Sequence, residues 1–144
     1  MIKTVTPKEA KELIDAKGYR YVDVRSEWEF EQGHPEGAVN IPILHMSPGS
    51  GPEPNARFLD VVEANFDKDA RIVVGCKSGG RSHRAAEKLV AAGFTDIVNM
   101  DGGFSGRYDQ LNQLVQPGWT QEELPVSDET GDGVSYKSLA AKAS

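Results

Sequence analysis

The stretch from Ile72 to Gly93 changes its hydrophobic period partway along. That change constrains the fold more than any other feature of the chain. Ile72-Val73-Val74 is a continuous apolar run, and beyond it Ala85, Ala86, Leu89 and Val90 recur at helical spacing until Gly93. A short strand with no polar alternation is one buried on both faces, as in parallel sheets. A buried strand followed at once by a helix is the unit from which such sheets are built. The connecting loop is Gly75-Cys76-Lys77-Ser78-Gly79-Gly80-Arg81-Ser82. It places Cys76 at the carboxyl end of the strand and before a helix amino terminus, where open α/β sheets put their ligand crevices.

The chemistry expected there follows from that placement. A thiol attacks as thiolate, and a helix amino terminus with nearby cations lowers a thiol pKa from about 8.5. Gly79 and Gly80 accept unusual backbone angles, so the amides from Lys77 to Ser82 are able to turn inward as an anion-binding nest. Lys77 and Arg81 add positive charge. A nucleophilic sulfur in an anion cradle fits two chemistries: sulfur transfer through a persulfide, or phosphoryl transfer through a cysteinyl phosphate. A lone cysteine is more often a small buried hydrophobe, and glycines after a strand are more often a turn. Here strand end, glycine pair, cations and helix start coincide, and the functional reading prevails.

Cys76 is the only cysteine, which excludes an internal disulfide and a cysteine-based zinc site. A lone reactive thiol fits a reducing compartment, and the expected location is cytoplasmic. The formal net charge of -6 argues against a general nucleic-acid binder. No apolar segment approaches a membrane span, and the stretch at Met1-Ile2-Lys3-Thr4-Val5 is too short for a signal peptide.

The chain's 144 residues suffice for one domain with a substantial core. Thr6-Pro7-Lys8-Glu9 reads as a capping box with proline at the first helical position. Ala10, Leu13 and Ile14 form that helix's apolar face, and Gly18 ends it. Tyr21-Val22-Asp23-Val24 reads as a strand. Ser26-Glu27-Trp28-Glu29 is a second capping box, opening a short helix that stops at Gly33. Gly37 to Ile41 is extended. Residues 44 to 57 read as a long loop, with His45 and Met46 placed to line a pocket mouth. Asn55 reads as the cap of a helix carrying Phe58, Leu59, Val62 and Phe66. Ile97-Val98 is a further strand, and Gly102-Gly103-Phe104 opens an irregular helix carrying Leu111 and Leu114. The alternation of strand and helix predicts an α/β fold with a mainly parallel sheet covered on both faces. The domain is expected to span residues 1–126, with 127–144 a polar, weakly ordered tail holding at most a turn of helix near Leu139.

Three pieces of the sequence together resemble the rhodanese family of sulfurtransferases. Asp23-Val24-Arg25, Glu29 and the run from Gly33-His34-Pro35 to Asn40-Ile41-Pro42 are similar to its amino-terminal signature. Cys76 to Ser82 is similar to its active-site loop. Asp101-Gly102-Gly103-Phe104, with Gly118-Trp119 and Leu124-Pro125-Val126, is similar to its carboxy-terminal signature. The turn after His34 and the segment before Trp119 depart from the family pattern. The resemblance implies a rhodanese-like, five-stranded, mainly parallel sheet flanked by helices on both faces. It implies a persulfide on Cys76, formed from a small anionic donor such as thiosulfate, with no metal or other cofactor required. A thiol, cyanide or protein persulfide partner would complete the exchange. Lys77, Ser78, Gly79, Gly80, Arg81 and Ser82 would bind the substrate, with Lys77 and Arg81 on the donor's sulfonate. Asp23, Arg25 and His34 would be structural support, while His83 is expected at the surface. Trp28, Phe30, Tyr108 and Trp119 read as core or rim aromatics. Two rival classes remain open: a cysteine phosphatase or arsenate reductase on the same fold, and a non-catalytic module that binds a partner.

Overall fold

The structure is a computed structural model describing residues 2–47, 49 and 51–143. In chain order it begins with β1 (Lys3–Val5), α1 (Pro7–Lys17), β2 (Arg20–Asp23), α2 (Glu27–Gln32), β3 (His34–Pro35) and β4 (Val39–Asn40). Then come β5 (Leu44–Ser47), β6 (Gly51–Pro54), α3 (Phe58–Asn65), β7 (Ile72–Gly75), α4 (Gly80–Ala91) and β8 (Ile97–Met100). The last part holds β9 (Arg107–Tyr108), β10 (Leu114–Gln116), β11 (Val126–Ser127) and α5 (Tyr136–Ala140).

Five strands form one sheet in the order β1-β8-β7-β2-β4. Every neighbouring pair is parallel, with Val22 beside Val74 and Val73 beside Val98. Parallel strands need covering on both faces, and alternation along β7 shows how this is met. Ile72, Val74 and Cys76 point to one face, where α3, α4 and α5 supply Phe58, Val62, Ala85, Leu89 and Leu139. Val73 and Tyr21 point to the other, against Ala10 of α1, Phe30 of α2 and Trp119. Because all five strands run the same way, the connections after β2, β4, β7 and β8 gather at one edge, and Cys76 lies in their midst.

Both capping boxes form: Thr6 with Glu9 before α1 and Ser26 with Glu29 before α2. Four expectations need correction. Residues 44 to 57 are not an open loop, for β5 and β6 pair as an antiparallel hairpin, although Pro48 and Ser50 lie outside the described residues. Asn55 does not cap α3. Its Oδ1 accepts from Arg57 N–H at 3.0 Å and its Nδ2 donates to the Pro42 carbonyl at 2.8 Å, which fixes the turn ahead of the helix. The segment from Gly102 to Leu114 is not helical. Asp109 accepts from the amides of Leu111 and Gln113, a local side-chain competitor to helix, and a β9–β10 hairpin forms with Leu111 exposed.

The fourth correction concerns residues 127–144. Val126–Ser127 pairs with β3, and α5 buries Leu139 and Ala140 against α3. Asn65 Nδ2 donates to Leu139 O at 3.0 Å and Asn55 Nδ2 to Tyr136 Oη at 3.1 Å. Tyr136, Leu139 and Ala140 share one face of the short helix, and that apolar face holds an otherwise polar segment in place.

Candidate active site

Cys76 follows β7 directly and is 1% exposed. Its Sγ accepts the Gly79 N–H at 3.0 Å, which closes the loop back onto the sulfur. On the inner side the thiol donates to Ser82 Oγ at 3.4 Å, and Ser82 Oγ donates in turn to Asn99 Oδ1 of β8 at 2.7 Å. α4 starts at Gly80, so its amino-terminal dipole points at the same place. The sequence groups Ser82 with the substrate contacts. The structure buries it completely and gives it to the sulfur and to Asn99. Lys77, Ser78 and Gly80 face solvent on the outer rim of the loop.

A second backbone segment fastens the loop from above. Phe104 N–H donates to Cys76 O at 2.7 Å and Ser105 N–H to Lys77 O at 2.9 Å. This approach is close enough that a Cβ on Gly103 would collide with the Cys76 carbonyl and the Lys77 backbone. Gly103 O accepts from Trp119 N–H at 2.9 Å, tying the turn to the buried Trp119. Asp101, which begins the turn, accepts from Arg107 Nε at 2.8 Å, and this hydrogen bond holds its carboxyl below the ordinary range.

Asp23 and Arg25 form a buried pair beneath this edge, with Arg25 Nη2 at 2.7 Å from Asp23 Oδ2. The same nitrogen donates to Gly33 O at 2.7 Å, and the guanidinium lies 4.4 Å from the Phe104 ring centroid. Burial opposes the Arg25 charge, but Asp23 more than offsets it and the pKa is raised. Asn40 Nδ2 donates to the carbonyls of Asp23 and Arg25, both at 3.0 Å. His34 is buried, stacked on Phe30 at 3.6 Å, with Nδ1 donating to Phe30 O at 2.8 Å. These groups hold the strand ends and the α2 turn in position.

Arg81, expected on the donor's sulfonate, is paired with Glu29 in this structure. Its Nη1 and Nη2 donate to the two carboxylate oxygens of Glu29, at 2.7 and 3.1 Å. Burial pushes the Glu29 carboxyl up, yet the Arg81 hydrogen bonds and charge, with Ser26, bring it down to about 2. Lys77 is therefore the loop cation that faces outward, and among the described residues it has no carboxylate partner. It borders a groove of about 240 Å³ whose walls include Trp28, Glu29 and Phe104. Trp28 and Tyr108 are exposed, whereas Phe30 and Trp119 are core. His83 is at the surface, and His45 and Met46 sit on the β5–β6 hairpin. Sequence reasoning missed three residues here. Glu29 was visible as a cap and as part of a signature but not as the partner of Arg81, Asn99 lay just beyond the Ile97-Val98 strand and was not singled out, and Phe104 was visible as part of a signature and as a helix start.

A buried sulfur that accepts one backbone N–H at the start of α4, beside a groove bordered by Lys77, suits a nucleophile that carries a small anionic group. The sequence profile of the Rhodanese-like domain matches residues 6–109. Thiosulfate sulfurtransferase 16, chloroplastic, from Arabidopsis thaliana is 46% identical over 88 residues, covering 61% of this chain and 72% of that protein. Rhodanese-like domain-containing protein 15, chloroplastic, from the same plant is 40% identical over 125 residues. That match covers 87% of this chain but 61% of the relative's length. The crystal structure of Rv0390 from M. tuberculosis superposes with a TM-score of 0.71 at 29% identity, covering 88% of this chain and 98% of that one. The relatives' names also correct the expected cytoplasmic location, because they place those proteins in chloroplasts. A lone thiol reports on redox environment and carries no address.

Proposed function

The chain belongs to the rhodanese-like domain family, and on that premise we propose that it is a sulfurtransferase working through a persulfide on Cys76. The Cys76 thiolate attacks the outer sulfur of thiosulfate. The S–S bond of the donor breaks, sulfite leaves with the electron pair, and Cys76 carries the transferred sulfur as a persulfide anion. An acceptor then attacks that outer sulfur. Cyanide leaves as thiocyanate, or a thiolate leaves as its own persulfide, and the Cys76 thiolate returns. No external oxidant or reductant is needed, and the two half-reactions predict ping-pong kinetics.

The observation that carries this reading is the Gly79 N–H at 3.0 Å from Cys76 Sγ, at the amino end of α4. A preorganised donor already aimed at the sulfur costs no reorganisation when charge develops there. Lys77 is positioned at the mouth to meet the sulfonate of the incoming donor. Ser82 and Asn99 steady the sulfur from the inner side. The physiological donor is assigned here only to the class of small sulfur-bearing anions, and the acceptor to thiols and cyanide.

Intact-mass spectrometry after incubation with thiosulfate tests the covalent step. The expected result is a gain of one sulfur atom, mapped to Cys76 and removed by cyanide. Absence of that adduct, with thiosulfate turnover unaffected by Cys76→Ser, would overturn the mechanism.

A further inference from the structure

A second concavity, of about 330 Å³, lies between α3, α4 and the base of the β5–β6 hairpin. Ile43, Leu44, Phe58 and Leu59 line it with apolar surface, and Arg84 and Lys88 enter it from α4. No carboxylate lines it. Among the described residues neither Arg84 nor Lys88 has a side-chain partner, although the chain as a whole carries a formal charge of -6. Arg84 and Lys88 are four residues apart and so occupy one face of α4. The polar side chain of Asn55 also borders the space, but it is already used on Pro42, Arg57 and Tyr136. The polar groups left for a ligand are thus two cations at one side of an apolar pocket.

We propose that this groove binds a small amphipathic carboxylate, its hydrocarbon part on Ile43, Leu44, Phe58 and Leu59 and its head between Arg84 and Lys88. Two observations select that class. Ligand sites of roughly 300–1,000 Å³ are mostly apolar with a few convergent polar groups, and this one has that size and composition. Charge complementarity fixes the sign of the head group, and the planar guanidinium fork of Arg84 matches a carboxylate. The cations at 81, 84 and 88 form one stripe along α4, so the groove shares a helix with the Cys76 loop. The binding claim itself does not depend on the sulfurtransferase reading.

Isothermal titration with sodium octanoate, with octanol and acetate as controls, tests the assignment on the whole chain. The expected result is saturable one-to-one binding of octanoate, at least about tenfold weaker for octanol and for acetate. R84Q/K88Q should weaken octanoate by a similar factor. Both residues are exposed, so the fold should be kept, and circular dichroism checks it. Leu59→Trp, which fills the apolar floor, should abolish binding. Cys76→Ser should bind octanoate as well as the wild type does, which separates this site from the sulfur chemistry. No saturable binding, or equal binding by R84Q/K88Q, would overturn the proposal. So would tighter binding of an acetylated Leu-Glu-Leu-Glu peptide than of octanoate, which would reassign the groove to a protein segment.

Discussion

Glu29 holds Arg81 by both carboxylate oxygens, across 52 residues of sequence, while its Oε1 also accepts from the Ser26 amide. One side chain thus caps α2 and occupies the cation of the Cys76 loop. An anionic donor entering the site meets an arginine that already has an anion, and a carboxylate that repels it.

Glu29→Gln separates these two tasks, because glutamine retains the capping geometry at this position and loses the charge. A shielded ion pair is worth about 1 kcal/mol, so freeing Arg81 should lower KM for thiosulfate roughly fivefold. Little change is expected in kcat. Steady-state kinetics with cyanide as acceptor measure both. An unchanged or raised KM would show that Arg81 serves α2 and not the donor.

The same pair sets an acid limit on stability. The Glu29 carboxyl titrates at about 2 in the fold against an ordinary 4.5. A depressed folded pKa gives stability that is fully present above the unfolded value and lost as pH falls toward the folded one. The loss should fall between about pH 4.5 and 2 and amount to roughly 2 kcal/mol, allowing for the part of the carboxylate still in water. Urea midpoints from pH 6 to pH 3 for wild type and Glu29→Gln check it. The difference between the two proteins should shrink steadily below pH 4.5, and a constant difference would remove the pair as its cause.

Tyr21 and Gly75 form a second informative relationship. Tyr21 is 1% exposed, its Oη has no hydrogen-bond partner among the described residues, and a Cβ on Gly75 would collide with that phenol. Burial first, then the Asp23 charge, raises the Tyr21 pKa well above the usual value and keeps it neutral. Removing a buried unpaired hydroxyl should help, so Tyr21→Phe is expected to gain about 1 kcal/mol in urea unfolding, with sulfur transfer retained. Gly75→Ala should lose about 3 kcal/mol by overpacking. A Tyr21→Val background, which removes the ring, should restore most of it. Destabilisation by Tyr21→Phe would mean the phenol has a partner that matters.

What the sequence disclosed divides along the range of the interactions. Thr6 with Glu9, and Ser26 with Glu29, are local pairs, and both were legible from spacing alone. The buried run Ile72–Val74 and the helix from Ala85 to Leu89 announced the strand-loop-helix unit through their periods. The β5–β6 hairpin was not legible because its residues are rich in proline and glycine and its pairing has no apolar alternation. Leu111 and Leu114 looked helical until Asp109 captured two amides of the turn. Leu139 and Ala140 looked too few to order a polar segment, and only the apolar face of α3 that they cover explains why they do. At the site, Cys76 and its loop were visible, but the Glu29–Arg81 contact joins distant elements and needed the fold.

The remaining question is whether this loop handles sulfur alone. Four residues separate Cys76 from Arg81, whereas cysteine phosphatases of related fold, as the family resemblance implies, carry one more. A phosphoryl group in transfer spreads charge over three equatorial oxygens, each needing donors. Here Gly79 N–H already lies on Cys76 Sγ at 3.0 Å and Arg81 is turned to Glu29. The loop from Lys77 to Ser82 also contains no carboxylate to protonate an alkoxide leaving group. The protein should therefore transfer sulfur from thiosulfate and show no turnover of p-nitrophenyl phosphate or arsenate above a Cys76→Ser blank. Inserting one glycine between Gly80 and Arg81 should cut sulfur transfer at least tenfold, about 1.4 kcal/mol in the barrier, by moving Arg81 and the start of α4 away from the sulfur. Cys76-dependent hydrolysis of the aryl phosphate or reduction of arsenate by the unmodified protein, without a persulfide on Cys76, would replace the sulfurtransferase reading.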